Sequence, residues 1–138
     1  MQVVTREISL KTQGETDILD VTPHVTQVLE KEGLTRGLVT IFVPGSTASV
    51  TTIENEPGLV SDLKKSWEKL IPPQGSYAHN RGGEDNGHSH LRASLVGPSL
   101  TIPIVEGKLA LGTWQQIVLL DFDTRPRHRK LLLQLMGE

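Results

Sequence analysis

Val4, Ile8 and Leu10 stand among Thr5, Glu7 and Ser9 with a period close to two, which predicts a half-buried strand over residues 2–10. Gln13-Gly14 then turns the chain, and residues 16–20 return as a second strand through Ile18. A helix is expected next, with Thr22 as N-cap, Pro23 at the first helical position, Val25, Val28 and Leu29 on one face, and Gly33 as the stop. Leu38 to Val43 is a near-continuous apolar run of the kind found in strands covered on both faces, and Pro44-Gly45 interrupts it. Residues 46–53, rich in Ser, Thr and Val, resume as a strand that ends in Glu54-Asn55-Glu56.

Pro57 opens a second helix, whose stripe of Leu59, Val60, Leu63, Trp67 and Leu70 runs to Pro72-Pro73. From Pro72 to Gly87 there is almost no aliphatic residue, so a long surface loop is predicted; such loops are usually functional or disordered. Leu91 to Val96 predicts a short helix closed by Gly97-Pro98, and Leu100 to Val105 a strand in which Pro103 favours an edge or a bulge. Glu106-Gly107 is a hairpin signal, residues 109–122 give a strand broken at Gly112, and Leu131 to Leu135 gives the last one, reached through an arginine-rich turn at 124–130. Many strands with helices grouped in the first half indicate the α+β class, with mainly antiparallel sheets in a single domain over 1–138.

A hydrophobic share of 36% excludes disorder and fibres. The net charge of −2 leaves no overall basic field to hold a nucleic acid or an anionic membrane, so any anion must be met by a local cluster. The absence of cysteine excludes disulfides, thiolate metal sites and cysteine nucleophiles. Aliphatic runs such as Ile117 to Leu120 fall far short of the roughly 18 residues of a membrane span. Residues 1–10 lack a signal-peptide pattern, so a cytoplasmic location is expected.

His79, His88 and His90 lie within 12 residues that also carry Glu84, Asp85 and Asn86. In an extended segment His88 and His90 would point to one face, and both imidazoles would reach one ion while His79 closed from the far end of the loop. Three imidazoles with an open position suit a divalent transition metal, zinc foremost; the plain alternative is a set of solvated loop histidines. Ser46 and Thr47 offer hydroxyls to a phosphate beside Gly45. Glu56 suits a helix N-terminus, whereas Glu54 and Asn55 lie at a strand end where sheets present polar groups to ligands. Arg125, Arg127, Arg129 and Lys130 make either a solvated turn or an oxyanion clamp. Trp114, before Gln115, is expected in the core rather than as a stacking surface.

Taken together, Gly45-Ser46-Thr47-Ala48-Ser49, Glu54-Asn55, Tyr77-Ala78-His79-Asn80, Ser89-His90-Leu91-Arg92-Ala93-Ser94 and Gly112-Thr113-Trp114-Gln115 resemble the YjbQ-like family, also called secondary thiamine-phosphate synthase, over nearly the whole chain. The resemblance implies an α+β domain of packed β-sheets, a homotrimer, and a metal-holding pocket near a subunit boundary. For the activity it implies the joining of hydroxymethylpyrimidine diphosphate to thiazole phosphate with release of pyrophosphate. It carries over His79 and His90 as metal-site histidines, together with Glu54, Asn55, Trp114, Gln115 and Arg129. Many members begin the hydroxyl-rich motif with His-Thr-Ser-Ala; Gly45 stands where that histidine would be, and His88 is expected to replace it.

On this reading the partner is a small phosphorylated metabolite. The metal with Arg127 and Arg129 would stabilise a diphosphate leaving group, Ser46 and Thr47 would hold a phosphate, and Asp85 or Glu54 would act as base or orient a ligating histidine. Two rivals are metal-assisted hydrolysis of a phosphate or amide, and a trimeric module that binds an ion or metabolite without turnover.

Overall fold

A computed structural model describes all 138 residues. Strand β1 (Gln2–Thr12) pairs antiparallel along its whole length with β8 (Arg127–Gly137), from Gln2 opposite Gly137 to Thr12 opposite Arg127. With β3 (Gly37–Phe42), β5 (Ser99–Val105) and the two-residue β6 (Lys108–Leu109) they form a five-stranded sheet in the order β1-β8-β3-β5-β6. A second sheet has the order β2-β7-β4, built from β2 (Asp17–Asp20), β7 (Gln116–Asp121) and β4 (Ala48–Ile53). Every pairing is antiparallel, as the α+β reading expects.

The inner face of the large sheet, from Val39, Ile41, Ile102, Ile104, Leu131, Leu133 and Leu135, packs on Val50, Ile117 and Leu119 of the small one. Helix α1 (Thr22–Glu32) adds Val25 and Leu29 to this core. The far face of the small sheet, Val118 and Leu120 with Phe122 just beyond β7, is covered by α2 (Pro57–Leu70) and α3 (Gly87–Val96). Central strand β7 is therefore the one buried on both faces, and its continuous run of apolar residues reflects that. The run at Leu38–Val43 is one-sided instead: Val39 and Ile41 are buried, while Leu38 and Phe42 stay 47% and 40% exposed on the outer face.

Four local expectations are corrected by tertiary contacts. Val21, not Thr22, is the N-cap of α1, because the Thr22 hydroxyl accepts from the Ile117 N–H at 2.8 Å and ties the helix to β7. Arg127 and Arg129 are not in a turn; they extend β8, and Arg129 continues the inward register of Leu131, Leu133 and Leu135 into a polar end. Trp114 is 73% exposed in the loop between β6 and β7, not part of the core. The segment expected as a loop through Gly87 contains a 3₁₀ turn, Ala78–Gly82, and α3 begins at Gly87 rather than Leu91.

That early start has identifiable causes. The Asn80 side-chain carbonyl accepts from the Gly87 N–H at 2.9 Å and so caps α3 from the 3₁₀ turn. One helical turn on, buried Arg92 donates to the Ile71 carbonyl at 2.8 and 3.1 Å and to the Thr16 hydroxyl at 3.0 Å, pinning α3 to the end of α2 and to the β1–β2 loop. A Cβ at Gly87 would lie 2.7 Å from Tyr77 Cβ and 2.9 Å from Asn80 Oδ1. Gly87→Ala is expected to cost about 1–3 kcal/mol by overpacking, measurable as a lower denaturation midpoint with unchanged slope. A midpoint equal to that of the parent would show that this contact is loose. No helix is long and apolar enough to cross a membrane.

Candidate functional site

The polar end of the sheets is organised by two carboxylates two residues apart, Asp121 at the end of β7 and Asp123 just beyond it, both fully buried. Asp121 accepts from Arg129 Nε at 2.8 Å and Nη2 at 3.0 Å, from the Thr12 hydroxyl, and from the Asp123 N–H at 3.0 Å. Burial alone would raise its pKa; these hydrogen bonds, with the Arg129 charge, outweigh that and hold the carboxyl below its ordinary value. Asp123 accepts from the Thr124 N–H at 2.8 Å, Asn86 Nδ2 at 3.3 Å, Arg127 Nε at 2.8 Å and the Thr47 hydroxyl at 3.2 Å. Its pKa is likewise lowered, with burial opposed and overcome by the donors. Arg129 Nη2 also donates to the Thr47 hydroxyl at 2.7 Å, so the cluster is one connected, charge-balanced network.

His79 and His90 meet at the surface of this network. The 3₁₀ turn carries His79, α3 carries His90, and their ring centroids are 4.5 Å apart at an interplanar angle of 62°. His79 Nε2 is 3.2 Å from Asn86 Oδ1, which links the ring through Asn86 to Asp123. Beside His90 opens a cavity of about 210 Å³ lined by Gly45, Ser46, Ala48, Ala93, Ser94 and Pro98. At Gly45 the absent side chain leaves the backbone beside Arg129, since a Cβ there would lie 3.0 Å from Nη1. Thr47 faces inward and is consumed by the network, whereas Ser46 lines the cavity.

His88 does not join the pair. Residues 88 and 90 lie on a helix, where a two-residue step rotates a side chain by about 200°, rather than on the extended segment the sequence suggested. The His88 ring is 2% exposed and neither nitrogen has a hydrogen-bond partner. Burial, and after it the positive charge of Arg92, lower its pKa below the ordinary imidazole value. No group of three or more His, Asp and Glu side chains converges in the way a complete metal site within one chain requires. The imidazoles that come within mutual reach are those of His79 and His90, and His79 has a hydrogen-bonded partner in Asn86.

The remaining candidates divide in two. Asp85 accepts from the Thr124 hydroxyl at 3.1 Å and belongs to the histidine end, as do Arg127 and Arg129. Glu54, Asn55, Trp114 and Gln115 sit at the opposite end of the β4–β7 pair, where Gln115 Nε2 donates to the Thr52 hydroxyl at 3.0 Å and the Asn55 N–H to Gln116 Oε1 at 2.7 Å. Ala48 pairs with Asp121 and Ile53 with Gln116, so the two ends are about 16 Å apart along β4. Glu56 caps α2 by accepting from the Gly58 and Leu59 N–H groups, as its position before Pro57 suggested.

Sequence reading missed Asp121 and Asp123, and it noted Asn86 beside the histidines without giving it a role. The available signal was the alternation Asp121-Phe122-Asp123 at the end of an apolar strand, answered by Arg127 and Arg129 with the same spacing.

Known proteins agree with this architecture. The model of the UPF0047 protein YjbQ-like family matches residues 6–138. A UPF0047 protein of Methanothermobacter thermautotrophicus is 38% identical over 138 residues, covering 100% of this chain and 95% of that protein. The UPF0047 protein YugU of Bacillus subtilis is 32% identical over 133 residues, covering 96% and 98%. Among solved structures, a YbjQ-like protein of unknown function from Sulfolobus solfataricus superposes with a TM-score of 0.94 at 35% identity, covering 99% of each chain. A hypothetical protein from Aeropyrum pernix gives 0.92 at 37%, covering 98% of this chain and 99% of that one. With a match over nearly its whole length and the same fold, the chain belongs to the YjbQ-like family, UPF0047.

Proposed function

We propose that this protein is a divalent-metal enzyme acting on a small phosphorylated metabolite, with His79 and His90 as its metal-holding side chains and thiamine-phosphate synthesis as the reaction class. The observation that carries the reading is the convergence of two imidazoles from separate elements, one of them tethered to a buried carboxylate through Asn86. A bound Zn²⁺ would supply Lewis acidity at a phosphoryl oxygen. The chain's own groups do the rest. Ser46 offers a hydroxyl to the phosphate in the cavity beside His90. Arg127 is half-exposed while its Nε and Nη2 hold Asp123, so it presents a fixed positive charge at this end for a leaving diphosphate. Asp85 is the exposed carboxylate of the same end, anchored by the Thr124 hydroxyl, and is the candidate to orient a ligating group there.

The assembly in this reading is a homotrimer. Glu54, Asn55, Trp114 and Gln115 are too far along β4 to reach the histidines of their own chain, and Trp114 is largely exposed. A neighbouring copy that brings these residues to the histidine end completes the pocket and supplies the coordination positions that one chain leaves open.

Untagged protein is expected to retain close to one zinc per chain by elemental analysis. His79→Ala and His90→Ala are each expected to lose most of it while melting within about 1 kcal/mol of the parent, since neither ring is buried. Light scattering should give the mass of three chains. Incubation with hydroxymethylpyrimidine diphosphate and thiazole phosphate should yield thiamine phosphate. Zinc retention without turnover on these substrates, but with phosphate-ester hydrolysis, would replace synthesis by hydrolysis. Equal zinc content in parent and both variants would overturn the site.

A further inference from the structure

Asn86 occupies the N-cap position of α3, the place where an asparagine side chain ordinarily accepts from the first helical N–H groups, yet it makes no capping hydrogen bond. The cap is supplied by Asn80, whose Oδ1 takes the Gly87 N–H at 2.9 Å. The Asn86 amide, 8% exposed, is spent on two other partners: its Nδ2 donates to Asp123 Oδ1 at 3.3 Å, and its Oδ1 faces His79 Nε2 at 3.2 Å. Asp123 removes the ambiguity in this chain of contacts. An ionised carboxylate only accepts, so the amide NH₂ must face it and the amide oxygen must face the imidazole. An oxygen with no proton can only accept, so His79 Nε2 must carry the hydrogen.

We infer that Asn86 is a positioning residue that holds His79 in the Nε2–H tautomer and thereby leaves Nδ1 as the ring nitrogen with a free lone pair. The inference deepens the proposed site by naming which atom of His79 faces a cation, and it rests on that reading only for the cation. Arg127 and the Thr47 hydroxyl anchor the other Asp123 oxygen at 2.8 and 3.2 Å, so the carboxylate cannot turn away and the direction of the relay is fixed. The hydrogen-bonded partner of a ligating imidazole sets both its tautomer and its orientation, and losing such a partner typically costs 10–100-fold in metal affinity.

The test uses the full chain labelled with ¹⁵N, first with EDTA and then with added Zn²⁺, in alkaline buffer, above the range in which free imidazole ordinarily titrates. In the metal-free parent, two-bond ¹H–¹⁵N correlations of His79 should show the Nε2–H tautomer alone. In Asn86→Ala the ring should populate both tautomers and bind Zn²⁺ roughly 10–100-fold more weakly. Asn80→Ala is the control for a purely structural effect: it removes the cap of α3 and should lower the melting temperature while leaving the His79 tautomer unchanged. An Nδ1–H tautomer in the parent, or an Asn86→Ala spectrum identical to the parent, would sink the inference. If the tautomer is as stated and Zn²⁺ does not bind, the positioning role stands and the metal reading of the site fails instead.

Discussion

Replacing Arg129 with methionine is expected to cost about 3–5 kcal/mol of folding stability, a fall in Tm on the order of 10 °C or more. Asp121 is fully buried and takes two of its hydrogen bonds from this guanidinium. Methionine fills similar volume but leaves the carboxylate uncompensated, and the Thr47 hydroxyl loses its donor at 2.7 Å. The pH dependence identifies the cause. In the parent, Asp121 has a lowered pKa, so its contribution is complete above the ordinary carboxylate range and fades as pH falls through the folded value. In Arg129→Met, desolvation is no longer offset, the folded pKa moves above the unfolded one, and stability is recovered as pH falls. The gap between parent and variant should therefore narrow from pH 7 towards pH 4 in urea denaturation. A loss under about 1 kcal/mol, or a gap independent of pH, would show that the pair does not hold this end of the sheets together.

Phe122→Ala is expected to destabilise by a similar amount, about 3–5 kcal/mol. Phe122 is fully buried and is the largest member of the small second core, which otherwise contains Ala93, Val118 and Leu120. Its ring packs edge-on to Trp67 at 5.3 Å, and Trp67 is among the half-buried residues by which α2 rests on the sheet, a helix with no fully buried residue. The cavity should thus weaken α2 more than the rest of the molecule. Hydrogen exchange should accelerate most over residues 57–70, while β1 and β8, which belong to the other core, keep their protection. Uniform acceleration across the chain would mean that α2 and the main core unfold as one unit.

These two residues also mark what could be read from sequence. Phe122 closes an apolar run whose strand character was plain, although its two-sided burial was assigned to the run at Leu38–Val43 instead. The periodicity of the two runs is alike; what differs is that β7 lies between a sheet and a helical layer, whereas β3 turns one face outward. Arg129 was singled out for its charge and placed in a turn. It proved to be the polar end of the longest strand pairing, because a buried acceptor on the facing sheet makes an inward arginine tolerable.

The histidines show the same division. Their concentration between residues 79 and 90 was visible in the sequence, and His79 and His90 do converge. His88 was grouped with them on the expectation of an extended segment, in which it shares a face with His90, and it lies instead on the buried side of α3. Helix start at Gly87 depends on Asn80 and Arg92, whose partners are 7 to 76 residues away, and no local pattern encodes such contacts.

By itself the sequence determined the class of the fold, most of its strands and helices and the family, since periodicities of two and 3.6 and a set of spaced motifs are properties of the chain alone. The tertiary structure alone decided which strand is buried twice, which histidine is parted from the other two, and which amide meets His79. Those outcomes turn on how a buried carboxylate finds its donors, and donors are chosen by three-dimensional proximity.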